Sequence, residues 1–119
     1  MATIEVTLDN FNDAVSEGIT ILDFWAPWCG PCRGFAPIFE KASEENPDVT
    51  FGKINTDENQ DLAGHFQIMS IPTIMVFRDN IRIFSQPGAL RKKDLDNLIT
   101  QVKALDMDEI RAKLEDQGK

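Results

Sequence analysis

The stretch Ile19-Thr20-Ile21-Leu22-Asp23-Phe24-Trp25 constrains the fold of this chain more than any other. Read with a period of two, it carries apolar side chains on both faces, and such a strand belongs inside a sheet that is covered on both sides. Helices must supply that cover, so a layered α/β fold is expected. One residue breaks the pattern. Asp23 shares its face with Ile19, Ile21 and Trp25, which points a carboxyl into an otherwise apolar layer. Desolvation there raises a carboxyl pKa.

The remaining segments alternate in type. Thr3 to Val6 is β-prone, and Leu8, Phe11 and Val15 follow at helical spacing until Gly18. After Pro31, the positions Phe35, Ile38, Phe39 and Ala42 mark a helix that runs up to Asn46-Pro47. Val49 to Asn55 reads as a strand, and Leu62, Ala63 and Phe66 as a short helix opened by Asp57-Glu58-Asn59. Thr73 to Phe77 and Ile81 to Phe84 flank Arg78-Asp79-Asn80, which predicts a hairpin whose turn uses the tolerance of Asp and Asn for positive φ. From Lys92 on, Leu95, Leu98, Ile99, Val102 and Leu105 line one helical face. This order predicts a mixed sheet, with long crossovers permitting parallel pairs and the tight turn forcing an antiparallel one.

A chain of 119 residues accommodates a single core, since domains run to roughly 100–200 residues. Twenty acidic against 12 basic side chains leave a formal charge of -8, a field that repels phosphate backbones and anionic headgroups. Nucleic acid and membrane surfaces are therefore poor candidate partners. The longest apolar runs, such as Ile74-Met75-Val76-Phe77, fall far short of the ~20 residues that span a bilayer. No secretory pattern opens the sequence, so a soluble, cytoplasmic protein is expected, in a compartment that keeps thiols reduced.

The chain has two cysteines, too few for a stapled scaffold or for a zinc site of their own. Both lie in Cys29-Gly30-Pro31-Cys32, at the turn between the buried strand and the next helix. That spacing brings the sulfurs within disulfide reach. Cys29 stands at the helix N-terminus, where orphan N–H groups and the macrodipole favour a thiolate. Cys32 lies one turn deeper, suited to resolving a mixed disulfide. Pro31 fits the first turn without losing a helical hydrogen bond. Neither Gly30 nor Pro31 offers a donor side chain to hold the thiolate further, so the pair is expected to act as a reductant rather than a strong oxidant. An inert pair and half a metal site are the other readings, and the single His65 supplies too few further ligands for zinc or an iron–sulfur cluster.

Asp23-Phe24-Trp25-Ala26-Pro27-Trp28-Cys29-Gly30-Pro31-Cys32, with Ala36-Pro37 after it, resembles the active-site signature of the thioredoxin family. Ser70-Ile71-Pro72-Thr73 is similar to that family's cis-proline loop, and Gly88-Ala89-Leu90 to its third substrate-facing loop. The resemblance covers residues 1 to about 105 in order. It implies the thioredoxin fold, a mixed central β-sheet flanked by helices on both faces, here with an extra C-terminal helix over residues 106–119. It also implies a protein disulfide reductase. Cys29 would be the attacking nucleophile, Cys32 the resolving thiol, Asp23 the buried carboxylate that accepts the Cys32 proton through water, and Lys53 the cation near it. Pro72 would be the cis-proline opposite the disulfide. Trp28, Gly30, Pro31, Ile71, Gly88 and Ala89 would line the apolar docking surface. The implied partners are disulfide-containing proteins and a thioredoxin reductase, whose flavin passes electrons from NADPH. No cofactor or metal is expected on the chain itself, and a monomer is the expected state. A binding subunit or holdase with incidental thiols is the alternative from another class.

Three positions, Gly34, Ser70 and Pro87, depart from that family pattern. Gly34 in the second turn of the helix weakens it by up to ~1 kcal/mol relative to alanine, and Ser70 and Pro87 stand where other residues are common. Arg91-Lys92-Lys93 places cations at a helix N-terminus, unfavourable by about 0.3–1 kcal/mol, and reads either as a patch that steers acidic partners or as a solvated charge run. In the acidic segment 106–119, Asp106 and Glu109 form a capping signal. A helix this short must dock Met107, Ile110 and Leu114 on the domain or a partner, or else fray.

Overall fold

A computed structural model of the chain describes residues 2–117. Its five strands are β1 (Thr3–Glu5), β2 (Ile19–Trp25), β3 (Thr50–Asn55), β4 (Thr73–Arg78) and β5 (Ile81–Pro87). They form one sheet in the order β1-β3-β2-β4-β5. The β1–β3 and β2–β3 pairs are parallel, while β4 runs antiparallel to both β2 and β5. The two-sided apolar strand is thus the central one, and the expected mixed sheet is present.

Helices cover both faces. On one, Phe35, Phe39 and Ala42 of α2 (Gly30–Glu45) and Leu95, Ile99 and Val102 of α4 (Lys92–Lys103) pack on Ile21, Phe51, Ile74 and Val76. On the other, Val15 of α1 (Phe11–Val15) and Leu62 of α3 (Gln60–His65) pack on Leu22, Phe24, Ile54 and Met75. Alternate residues of β2 and β4 feed opposite clusters, as a pleated strand requires. At Gly52, on the α1 and α3 face, an added Cβ would lie 2.6 Å from Val6 Cγ2 and 3.0 Å from Leu22 Cδ2. The glycine lets the segment after β1 pack directly on β3.

Several expected boundaries shift. Leu8 does not belong to the first helix; it is 58 % exposed and lies three residues before the start of α1 at Phe11. The hairpin loop is Asp79-Asn80 alone, with φ of 51° and 70°, and Arg78 belongs to β4. Positive φ at both loop residues matches the right-handed strand twist. β5 continues past Phe84 to Pro87, after a bulge opposite Val76 and Phe77. Proline is tolerated there because β5 is an edge strand.

The C-terminal extension forms α5 (Met107–Gln117). Asp106 Oδ1 accepts hydrogen bonds from the N–H groups of Asp108 and Glu109, which is the expected cap. Docking is partial: Met107 is buried and Ile110 half-buried, while Leu114 stays 44 % exposed. Arg111 pairs with Asp79 at the hairpin turn, and Arg78 Nη1 donates to the carbonyls of Val102 and Leu105. Since Ile19 pairs with Arg78 and Phe24 with Thr73, that turn lies at the opposite end of β2 from the cysteines. The cations at the start of α4 are locally balanced, Arg91 by Asp94 and Lys92 by Glu45 and Asp96. Hydrogen bonds to those carboxylates raise the Lys92 pKa, so Arg91-Lys92-Lys93 does not present three free charges.

Candidate active site

The C-terminal end of β2 delivers the chain into a turn that starts α2. Cys29 is the N-cap residue of that helix and accepts a hydrogen bond on Sγ from the Cys32 N–H at 3.2 Å. The same donor, with the helix dipole behind it, is placed to stabilise a Cys29 thiolate. Cys29 and Cys32 form a disulfide, with their Cα atoms 5.2 Å apart. Both are buried, whereas Trp28, Gly30 and Pro31 around them are exposed.

Facing the pair is the cis Ile71–Pro72 peptide. The Ile71 carbonyl oxygen lies 3.7 Å from Cys29 Sγ. Gly88, at φ 101°, donates its N–H to the Pro72 carbonyl at 2.8 Å, which brings the Gly88 loop beside the proline. Ala89 follows it and is exposed. Trp28 and Ile71 line one cleft of about 380 Å³ with Thr56, Ala63 and Ile68. Trp28 is fixed there by a hydrogen bond from Nε1 to Asp57 Oδ2 at 3.1 Å.

Asp23 is fully buried. Among the described residues, its two oxygens are the only buried side-chain polar atoms without a hydrogen-bond partner. Desolvation pushes its pKa up to about 7, against a smaller opposing pull from Lys53. Lys53 is the ladder partner of Asp23 across β2–β3. The expected cation is therefore adjacent, but it forms no ion pair with Asp23 among those described, because its ammonium sits over the Trp25 ring, 4.6 Å from the centroid.

The thioredoxin family profile matches residues 2–101. The chain belongs to the thioredoxin family. It is 46 % identical over 117 residues to a Streptomyces coelicolor chain assigned as thioredoxin 2, covering 98 % of this chain and 87 % of that one. Identity to the Bacillus subtilis thioredoxin is 40 %, over 85 % of this chain and 98 % of that one. A solved structure of a mutant thioredoxin from Halobacterium salinarum is similar with a TM-score of 0.81 and 30 % identity, covering 87 % of this chain and 93 % of that one. This thioredoxin-family chain is accordingly a thiol-disulfide oxidoreductase built around a redox-active cysteine pair, acting on disulfide-containing substrates and served by reductase partners. Among the described residues no helix is long and apolar enough to cross a membrane, and no cluster of three or more His, Cys, Asp or Glu forms a metal site.

Sequence reasoning missed Trp25 as the seat of Lys53, and Asp57 as the partner of Trp28. Asp57 read as part of a helix-opening run, yet the Asn59 side chain makes no cap for α3 and donates instead to the Asn55 carbonyl. The Asp57 N–H is taken by Asn55 Oδ1, leaving its carboxylate for the indole. A hydrogen bond between residues 28 and 57 leaves no periodic trace in sequence.

Proposed function

We propose that this protein reduces protein disulfides by dithiol–disulfide exchange, with an extended substrate segment docked beside Pro72. The Cys29 thiolate attacks one substrate sulfur; a Cys29–substrate disulfide forms, the substrate disulfide breaks, and the departing thiolate takes up a proton. Cys32, deprotonated with help from Asp23, then attacks Cys29 Sγ and releases the second substrate thiol. The substrate gains two electrons and the protein ends as the Cys29–Cys32 disulfide. Lys53 tunes Asp23 electrostatically. Trp28, Gly30, Pro31, Ile71, Gly88 and Ala89 form the docking surface. The observation that carries this reading is the disulfide at the α2 N-terminus with Cys29 Sγ beside the Ile71 carbonyl, and the buried Asp23 carboxyl on the strand that leads into that turn supports it.

The oxidised pair is re-reduced by a flavin- and NADPH-dependent thioredoxin reductase, in the cytoplasm, and the chain acts as a monomer without a bound cofactor. Residues 1–105 form the catalytic domain and 106–119 an extension. The family profile ends at residue 101, whereas the alignment to the Streptomyces coelicolor chain takes in 117 of 119 residues and so reaches into the extension.

Cys32→Ser should trap a stable mixed disulfide with a protein substrate through Cys29, detected by mass on a non-reducing gel, and Cys29→Ser should trap none. Full disulfide reduction by a variant with both cysteines changed to Ser would overturn the reading in favour of a binding role with incidental thiols.

A further inference from the structure

Three methionines fall among the described residues, and their settings differ sharply. Met75 in β4 and Met107 in α5 are buried, whereas Met69 is 92 % exposed. Met69 sits in the loop that leads into the cis Ile71–Pro72 peptide. It rims the cleft shared by Trp28 and Ile71, and also a neighbouring hollow formed with Gly64 and Gln67. Its thioether is thus two residues from the carbonyl that lies 3.7 Å from Cys29 Sγ. Trp28, itself 67 % exposed, adds to the same apolar rim. A thioether in this position is open to solvent oxidants and is also covered whenever a protein docks on the redox face.

We propose that Met69 is a modification site: hydroperoxides convert its thioether to the sulfoxide, and the sulfoxide weakens docking of protein disulfides. This rests on the reductase reading above and assigns that site a form of regulation. The Met69 sulfur attacks the terminal oxygen of the hydroperoxide. An S–O bond forms as the O–O bond breaks, the sulfur loses two electrons, and the peroxide leaves as water or an alcohol after proton transfer. With Cys29 and Cys32 joined as a disulfide, no thiolate competes for the oxidant. The product is a polar, chiral group in place of a flexible apolar one. A docking partner would have to strip water from that dipole without returning a hydrogen bond. Sulfoxide formation is reversible by sulfoxide reductases, so the change can act as a switch.

The test treats the full chain, in its disulfide form, with hydrogen peroxide and maps the added oxygen by peptide mass spectrometry. Met69 should be modified at least tenfold more than Met75 or Met107. With dithiothreitol as electron donor, kcat/KM toward a protein disulfide such as insulin should then fall at least fivefold. Exchange with a small aromatic disulfide should change by less than twofold. Treated Met69→Leu should keep the activity of untreated Met69→Leu. Equal oxidation of the three methionines, an unchanged insulin rate after complete Met69 oxidation, or the same loss in treated Met69→Leu would overturn the proposal. Failure of the untreated protein to reduce either disulfide would instead overturn the reductase reading itself.

Discussion

Asp23 faces Lys53 across the β2–β3 ladder, yet the Lys53 ammonium rests over the Trp25 ring and both Asp23 oxygens lack a partner. Burial therefore outweighs the nearby cation, and the carboxyl pKa rises to about 7. A carboxyl with that pKa can take and return a thiol proton near neutrality. The cation–π contact with Trp25 is what keeps Lys53 close without quenching the carboxyl.

The stability consequence has a definite sign. Folded Asp23 holds its proton up to about pH 7, the unfolded residue only to about 3.8. Between those values the folded state binds more protons, so stability falls as pH rises through the window. Asp23→Asn should match the parent near pH 3.5 and exceed it at pH 8 by about 2–4 kcal/mol, read by urea denaturation at both pH values. A variant less stable than the parent at pH 8 would contradict the buried, unpartnered carboxyl.

The same substitution should slow disulfide release. Losing a positioned proton acceptor costs roughly 100-fold or more in a fully committed general-base step, and water replaces part of it here, so a decrease of about tenfold is expected near pH 7. Rapid-quench measurement should show mixed disulfide accumulating. Unchanged decay of that intermediate would remove Asp23 from the resolving step.

Two glycines should respond in opposite directions. A Cβ at Gly34 meets nothing within 4 Å, so Gly34→Ala should stabilise by about 0.5–1 kcal/mol through helix propensity and unfolded-state entropy. A Cβ at Gly52 would collide with Val6 and Leu22, so Gly52→Ala should destabilise by about 1–3 kcal/mol. Thermal unfolding of the two variants reads both signs.

Much of this was legible in the sequence, and what was not has a common cause. The two-faced run of β2 and the helical spacing after Pro31 are local patterns that map onto observed elements, and the expected Arg78-Asp79-Asn80 turn is present but one residue shorter, since Arg78 belongs to β4. Asp23 was readable because period two alone places it on the covered face. The seating of Lys53 on Trp25, the Trp28–Asp57 hydrogen bond and the Gly88 N–H on Pro72 join residues far apart in the chain. Such pairings depend on strand order, which local periodicity does not encode. Leu8 misled for a related reason: its helical spacing with Phe11 is genuine, but Asn10 uses its side chain to accept from Thr7 N–H and donate to the Glu5 carbonyl, holding the segment as a turn.

The extension should stabilise the fold without entering the chemistry. Removing residues 106–119 would expose the surface that buries Met107 and break the Arg111–Asp79 pair. A loss of about 1–3 kcal/mol is expected, chiefly from the apolar burial. Because α5 docks at the end of the sheet away from the cysteines, kcat/KM for a protein disulfide should stay within twofold. A large loss of activity at unchanged stability would give the extension a direct role in substrate binding.

The Cys29–Cys32 pair works as a reductant, since Gly30 and Pro31 add no donor that would hold the thiolate beyond what the helix N-terminus supplies. Its equilibrium reduction potential against glutathione redox buffers is the decisive measurement. A value close to the roughly -270 mV of thioredoxins is expected, and a value near the roughly -120 mV of strongly oxidising pairs would contradict it.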